Sequence, residues 1–264
     1  MYLLVGFTLG VIVSYLAFRL GSLTISGAVA SAVIGGLIFG LGGLPWASLL
    51  LLFFISSSLI SRAYRIKKEL LGEKFSKGSR RDHGQVLANG GLAAGLALVY
   101  WCFPNLEEVW IAFAGAMAAV NGDTWATELG VLSKSSPRLI TSWKVVSRGT
   151  SGGVTLGGYL ATLAGTALIA LAASLFAQPA GLIIPLVIIG GLVGATIDSL
   201  LGATIQGIYY CPDCNKETER HPEHSCGTIT VQIRGWKWMN NDLVNFICSL
   251  AGAGIAVLGW QLIR

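Results

Sequence analysis

Eight apolar segments constrain the fold of this chain more than any other feature, because a helix needs roughly 20 apolar residues to cross a bilayer. Only 12% of the 264 residues are charged, whereas a soluble domain carries about twice that share. The sequence therefore predicts an all-α, polytopic transmembrane bundle of about eight helices, forming a single domain over residues 1–264. The predicted spans are 2–20, 24–42, 45–61, 85–103, 109–131, 152–176, 181–206 and 241–262.

Glycine is frequent in these spans, with 35 glycines in the chain. Pairs of small residues four apart let helix backbones approach closely in a membrane. The pairs Gly36 with Gly40 and Gly91 with Gly95 therefore indicate close helix packing.

The basic residues predict the orientation. Of 18 Lys and Arg, eight lie between Arg62 and Arg81, four between Lys134 and Arg148, and four between Lys216 and Lys237. Eight helices place these loops on one side, which the positive-inside rule makes cytoplasmic, so both termini are expected outside. The three loops are a basic loop at 62–84, a phosphate-binding type loop at 132–151 and a Cys/His loop at 207–240. Contact with anionic lipid explains their charge without nucleic acid.

The predicted location is thus an integral position in a membrane, the plasma membrane if the organism is prokaryotic, with a site that faces the cytoplasm. A homo-oligomer is left open.

Four carboxylates lie within or at the start of predicted spans: Asp123, Glu128, Asp198 and Asp242. An uncompensated acid in hydrocarbon costs a few kcal/mol at least, so such groups usually face a polar cavity and pair with a cation. Counting along the predicted helices places all four, with Asn89 and Asn121, in the cytoplasmic leaflet. This one-sided placement predicts one cavity open to the cytosol. A buried interhelical hydrogen-bond network without chemistry is the alternative.

Carboxylate oxygens suit hard divalent cations, and Mg²⁺ is usually held by one or two carboxylates together with substrate phosphates. Asp123, Glu128 and Asp198 are the candidate Mg²⁺ ligands. A cation- or proton-coupled transporter would use similar residues, so the acids alone do not decide the function.

A glycine-rich stretch before the sixth predicted span favours phosphate binding. Its residues are Lys144, Arg148, Gly149, Thr150, Ser151, Gly152 and Gly153. A Gly/Ser/Thr-rich turn that opens a helix presents free backbone N–H groups and the positive end of the helix dipole. The order of residues is not that of a Walker A loop. An ordinary helix cap followed by glycines for packing is the other interpretation.

Five blocks resemble a known membrane family: Gln85–Gly91, Asn121–Glu128, Gly149–Thr155, Asp198–Ala203 and Asn241–Phe246. They are similar, in the same order, to the family called domain of unknown function 92 or transmembrane protein 19, whose best-understood plant members are phytyl-phosphate kinases. The resemblance runs from about Gly21 to the C-terminus. It implies transfer of a phosphoryl group from a nucleoside triphosphate, CTP in particular, to an isoprenyl monophosphate in the membrane.

The family is also distantly similar to dolichol kinase and CDP-archaeol synthase, so a CTP-dependent lipid nucleotidyltransferase is a further alternative. In the kinase interpretation Asp123, Glu128 and Asp198 are catalytic and hold Mg²⁺. The expected substrate-binding residues are Asn89, Asn121, Lys144, Arg148, the turn from Gly149 to Gly153, Asp242 and Asn245. An Asp at a helix start, such as Asp242, is also typical of a cap or a dipole partner.

The Cys/His loop contains a possible zinc site. Cys211 and Cys214 form a Cys-x2-Cys pair, and Cys226 follows with His224, or His221 as the alternative ligand. Three sulfurs and one imidazole are a common ligand set for tetrahedral Zn²⁺. A disulfide or free thiols are the other interpretations, and a cytosolic face disfavours the disulfide. The expected role is structural.

Overall fold

The computed structural model describes residues 2–64, 80–130, 132–133 and 135–264. Most of the predicted basic loop at 62–84 lies outside the described residues, as does Lys134 in the predicted loop at 132–151. The described chain forms seven helices: α1 Tyr2–Arg19, α2 Ile25–Ala63, α3 His83–Cys102, α4 Glu107–Gly130, α5 Leu156–Ser174, α6 Ala180–Thr204 and α7 Asn241–Ile263.

Helix α2 consists of two arms that meet at Gly43, where φ is 71° and ψ is −161°. Both ends of α2 contact Arg81, because the Thr24 N–H donates to the Arg81 carbonyl at 3.0 Å and Arg81 Nη2 donates to Ser57 Oγ at 2.9 Å. The arms are therefore antiparallel. They correspond to the two spans predicted on either side of the break, which accounts for the expected number of about eight helical segments.

Five helices, α2, α3, α5, α6 and α7, are long and apolar enough to cross a membrane. Helix α1 is a shorter apolar helix that packs against α2. Helix α4 is different, because every residue from Ile111 to Gly122 is buried and the helix packs against α2, α3, α5, α6 and α7. It is the central helix, and Asn121, the polar residue of this buried stretch, faces protein rather than lipid. The predicted transmembrane helical bundle is confirmed.

Glycines set the closest helix contacts. A Cβ at Gly115 of α4 would lie 2.6 Å from the carbonyl oxygen of Gly252 in α7, and one at Gly36 would lie 2.5 Å from Phe7 Cδ1 in α1. The packing predicted for Gly36 is therefore present. The prediction for Gly91 and Gly95 is wrong, because no described atom lies within 4 Å of a Cβ at either position.

Two of the loops contain short strands that the sequence analysis did not predict. Antiparallel strands β1 Arg138–Leu139 and β2 Gly153–Val154 pair before α5. Strands β3 Ile208–Cys211, β4 Lys216–Thr218 and β5 Val231–Arg234 form an antiparallel sheet in the order β4-β3-β5. Helix α5 starts later than expected because β2 occupies the residues before its cap, Thr155, whose Oγ1 accepts from the Gly158 N–H at 2.9 Å.

Both sheets lie at the end of the bundle where α3, α5 and α7 begin, which we call the loop end. Every described Lys and Arg except Arg264 lies there, and Arg264 pairs with Glu107 at the opposite end. The opposite end is packed with aromatic rings: the Trp46 centroid lies 4.2 Å from that of Phe113 and 5.1 Å from that of Tyr100.

Candidate active site

A cavity of about 250 Å³ lies at the loop end. Helices α2 to α7, the loop before α5 and the segment after β4 all contribute to its wall. The predicted site residues that line it are Asn89, Asp123, Glu128, Arg148, the turn from Gly149 to Gly153, Asp198 and Asn245. The fold therefore brings residues from all five sequence blocks to one place.

Three of the predicted carboxylates meet in this cavity, Asp123 and Glu128 from α4 and Asp198 from α6. Asp198 lies within electrostatic range of Asp123. Its Oδ2 is shielded from solvent and accepts no hydrogen bond from the described part of the chain. Since buried polar atoms nearly always have a partner, this oxygen is suited to a bound cation.

Glu128 is held in place by a neighbouring helix. Only 7% of the residue is exposed, and its Oε1 accepts a hydrogen bond from Ser61 Oγ of α2 at 2.8 Å. Ser61 also lines the cavity. Nothing in the sequence singles out Ser61, because a serine near a helix end has many structural uses.

Asn121 lies outside the cavity, so the structure does not support its predicted contact with a phosphate. Its Nδ2 donates to the Gly165 carbonyl at 2.8 Å, and its Oδ1 accepts from Ser56 Oγ at 3.2 Å. The side chain is fully buried. Both ends of the amide therefore join α4 to α5 and α2, as in the interhelical network that the sequence analysis kept as an alternative.

The turn from Gly149 to Gly153, here the glycine-rich turn, contains two glycines in the left-handed region of backbone conformation. Gly149 and Gly152 have φ of 79° and 80°, and N–H groups around such residues can converge on an anion. The amides of Gly149, Ser151 and Gly152 donate no hydrogen bond to other described residues. A Cβ at Gly152 would lie 2.4 Å from the Ala203 nitrogen, so the turn packs directly on α6.

Two other predicted substrate-binding residues do not line the cavity. Lys144 is exposed in the turn between β1 and β2, where its carbonyl accepts from the Leu139 N–H at 2.9 Å. Asp242 lies in the first turn of α7, beside a neighbouring pocket, and Asn240 is the residue that caps this helix. Arg148 does reach the cavity, with its Nη2 bonded to the Ser133 carbonyl at 2.8 Å.

Arg81 is a cavity residue that the sequence analysis missed, having counted it only among the topology charges. Its Nη2 donates to Ser57, its Cζ lies 5.4 Å from the Phe53 ring centroid, and its Nη1 is shielded without a described hydrogen-bond partner. Burial lowers its pKa to about 10, although the charge of Glu128 raises it. The guanidinium therefore remains charged at neutral pH and has a donor available in the cavity.

The Cys/His loop brings together four potential metal ligands, Cys211, Cys214, His224 and Cys226, whose ligand atoms all lie within 4.8 Å of one another. Cys211 Sγ lies 3.5 Å from Cys226 Sγ, and His224 Nδ1 lies 3.4 Å from Cys214 Sγ. Tetrahedral ligands around Zn²⁺, with Zn–S near 2.3 Å, are separated by about 3.5 to 3.8 Å. This cluster could bind a metal ion.

The alternative ligand His221 is not in the cluster, because its ring stacks on Tyr209 at a centroid distance of 4.6 Å. Hydrogen bonds with Thr228 and His224 lower the pKa of Cys226 to about 6, whereas the hydrogen bond with Cys226 raises the pKa of Cys214 to about 12. Hydrogen bonds in the cluster thus favour a thiolate at Cys226 and a protonated thiol at Cys214. A bound cation would displace the thiol proton.

The fold and the cavity define a helical integral membrane protein with an acid-lined site at one end. The chain belongs to the integral membrane protein family DUF92, whose model matches residues 8–253. This confirms the family expected from the sequence blocks.

Several curated proteins are similar to this chain. It is 35% identical to Protein PGR of Arabidopsis thaliana, over 90% of this chain and 89% of that protein. It is 31% identical to the uncharacterized membrane protein MJ0933 of Methanocaldococcus jannaschii, over 88% and 83%. It is 26% identical to Protein VTE6, chloroplastic, of A. thaliana, over 94% and 70%. No solved structure matches the chain.

Proposed function

We propose that this protein is a membrane-embedded kinase that transfers a phosphoryl group from a nucleoside triphosphate to an isoprenyl monophosphate. The observation that carries the proposal is the meeting of Asp123, Glu128 and Asp198 with Arg81 and the glycine-rich turn in one cavity. The resemblance of the five sequence blocks to those of plant phytyl-phosphate kinases favours a phytyl-type acceptor and CTP as donor.

In the proposed reaction an oxygen of the acceptor phosphate attacks the γ-phosphorus of CTP. The bond from that phosphorus to the β-phosphate bridging oxygen breaks, giving the isoprenyl diphosphate and CDP. The second pKa of a phosphate monoester is near 6, so the attacking oxygen is already ionised at neutral pH and needs no general base. The three acids are therefore assigned to cation binding rather than to proton abstraction.

Carboxylate oxygens are the ligands that Mg²⁺ prefers, and the unpartnered Oδ2 of Asp198 fits such an ion. Mg²⁺ held by Asp123, Glu128 and Asp198 would offset the negative charge of the phosphates. Arg81, Arg148 and the amides of the glycine-rich turn would bind and orient the nucleotide phosphates. Asn89 and Asn245 would donate hydrogen bonds to the acceptor phosphate, since both line the same cavity.

The proposed orientation places the loop end in the cytoplasm. Eleven of the twelve described Lys and Arg lie at that end, and the positive-inside rule assigns such an end to the cytoplasmic side. Both chain ends would then lie outside, in the plasma membrane of a prokaryote. The isoprenyl tail would remain among the helices while its phosphate enters the cavity.

A structural Zn²⁺ is proposed for Cys211, Cys214, His224 and Cys226. Three thiolates and one imidazole at these separations are a closed tetrahedral set, which is typical of structural rather than catalytic zinc.

The alternative of a coupled transporter requires a route through the membrane to the other side. The aromatic packing of Trp46, Tyr100, Trp110 and Phe113 at the end opposite the cavity favours a site that works from one face. The nucleotidyltransferase alternative uses the same cavity and is separated from the kinase by its product.

The test uses the purified full-length protein in nanodiscs with Mg²⁺ and CTP labelled either at the α- or at the γ-phosphorus. The acceptors are phytol, phytyl phosphate, geranylgeranyl phosphate and phosphatidic acid, with ATP as a second donor. The proposal expects γ-label, and no α-label, in a diphosphate product from an isoprenyl phosphate. Incorporation of the α-label would establish a nucleotidyltransferase, and no product with any pair would overturn the kinase.

Matched variants of α4 then test the site. Asp123→Asn should reduce turnover by about 100-fold or more, because it removes a charged ligand of the proposed Mg²⁺. Glu107→Gln, on the same helix but at the opposite end, should leave turnover unchanged. Normal turnover of a folded Asp123→Asn protein would contradict the assignment.

A further inference from the structure

Residues 205–239, here the Cys/His module, form a small unit with little core of its own. Its three strands contain four, three and four residues. A unit of fewer than about 40 residues usually needs a metal, a disulfide or a partner to be stable. In such modules the free energy of metal binding is a large part of the free energy of folding.

The ligands join the two halves of the module. Cys211 ends β3 and Cys214 lies in the turn before β4, whereas His224 and Cys226 come from the following hairpin, in which Glu223 bridges Ile229. A metal bound to all four therefore fixes β4 against that hairpin.

Glu219 follows β4 directly and lines the cavity, so fixing β4 also fixes Glu219 at the cavity wall. Its neighbour Thr218 is buried, and Glu219 itself lines the cavity within electrostatic range of Asp198. Gln206 Nε2 donates to Glu219 Oε1 at 3.0 Å. The module thus supplies one wall of the proposed site.

Gln206 connects Glu219 to the glycine-rich turn. The side chain is 1% exposed, and its Oε1 accepts from Ser151 Oγ at 2.6 Å. Gly202 leaves the space where these groups meet, because a Cβ there would lie 2.6 Å from Ser151 Oγ. A continuous set of hydrogen bonds therefore runs from Glu219 through Gln206 to the turn.

Strand β5 is attached to α6 separately. Arg234 donates to the carbonyls of Gly202 and Ala203 at 3.0 and 3.1 Å, and the Trp236 N–H donates to the Ile205 carbonyl at 2.9 Å. Since β5 is attached to α6 without the metal, the role of the metal is to fix β4 and Glu219 relative to β5.

We infer that the metal in the Cys/His module controls the conformation of the glycine-rich turn through Glu219 and Gln206, which act as positioning residues. The effect of the metal on phosphate binding rests on the proposed function of the turn, whereas its effect on the conformation of the turn does not. Loss of the metal should loosen the turn and weaken phosphate binding, although all the groups that contact phosphate remain present.

The test measures metal content and amide hydrogen exchange of the full-length protein in nanodiscs without Mg²⁺ or nucleotide. We expect about one zinc per chain as purified without chelators. Removing it with a zinc-selective chelator should accelerate exchange by about tenfold or more across residues 205–239 and, within 147–155, at Thr150 and Gly153, whose amides donate to the Ser147 and Thr150 carbonyls. Exchange in the two arms of α2 should not change. Added Zn²⁺ should restore protection and added Mg²⁺ should not.

Three variants examine the connection with the metal in place. Glu219→Ala should accelerate exchange in 147–155, whereas Glu219→Gln retains an acceptor for Gln206 and should preserve protection. Glu217→Ala removes a neighbouring exposed acid and serves as the control.

Protection of the turn that survives both zinc removal and Glu219→Ala would overturn the inference, as would a purified protein without metal at the cluster. These exchange measurements need no substrate. A failed transfer assay with intact exchange coupling would therefore remove the kinase and leave the coupling.

Discussion

Arg81 shows how a single residue can connect a loop, two helices and a site. Its backbone N–H donates to the Ser22 carbonyl at 3.0 Å and its own carbonyl accepts from Thr24, while its guanidinium reaches Ser57 and the cavity. The sequence could not single it out. Arg81 ends a run of eight basic residues for which a topology signal is a sufficient explanation.

The expected result for Arg81→Lys is a loss of CTP affinity of about tenfold or more. A lysine retains the charge but carries all its N–H donors on one nitrogen, so it cannot span the distance between Ser57 and a phosphate as the two terminal nitrogens of Arg81 would. Equilibrium binding of labelled CTP in the presence of Mg²⁺ measures the change. Arg62→Lys, an exposed position at the end of α2, is the matched control; equal affinities for the two variants would exclude Arg81 from the phosphate site.

Among the secondary-structure elements, helix α4 shows which properties of a buried helix can be predicted from its sequence and which cannot. Counting residues along a helix correctly placed Asp123 and Glu128 at the same end as Asp198, because depth depends only on the rise per residue. Facing neighbours depend on tertiary packing, which one sequence does not provide. Asn121 was therefore assigned to the site, although it faces α5 and α2.

Pairs of glycines four residues apart also do not reveal which helix they face, because this depends on tertiary packing. They allow a matched test of that packing. Gly115→Ala places a methyl group 2.6 Å from the Gly252 carbonyl and should lower stability by about 1 to 3 kcal/mol through overpacking of α4 against α7. Gly95→Ala meets no described atom within 4 Å and should be neutral or stabilising by up to about 1 kcal/mol. Thermal unfolding in detergent compares them; equal melting temperatures would contradict this account of the helix contact.

For the molecule as a whole, the sequence predicted that the buried acids and the basic loops lie on the same side of the membrane. The cavity does lie at the loop end. What remained unknown were partners brought by the fold from distant parts of the chain, such as Ser61 from α2 and Glu219 from the Cys/His module. Neither residue belongs to a sequence block of the family. Ser61 is recognised as a site residue by its hydrogen bond to Glu128, and Glu219 by its hydrogen bond from Gln206.

Orientation is testable with engineered cysteines in a Cys102→Ser background. Asn105→Cys, in the turn between α3 and α4, should react with a membrane-impermeant maleimide on intact cells, because that turn lies opposite the loop end. Ser142→Cys, between β1 and β2, should show additional labelling only after permeabilisation. The reverse pattern would place the cavity outside and would remove access to cytosolic nucleotide.

We propose above all that acids from α4 and α6 hold one divalent cation together with nucleotide phosphates. Titration of Mn²⁺ in place of Mg²⁺, followed by the electron paramagnetic resonance signal of the free ion with CTP present, measures this directly. We expect one Mn²⁺ site whose affinity falls by about tenfold or more in Asp198→Asn and is unchanged in Glu107→Gln. Equal Mn²⁺ affinity in both variants and the unaltered protein would contradict it.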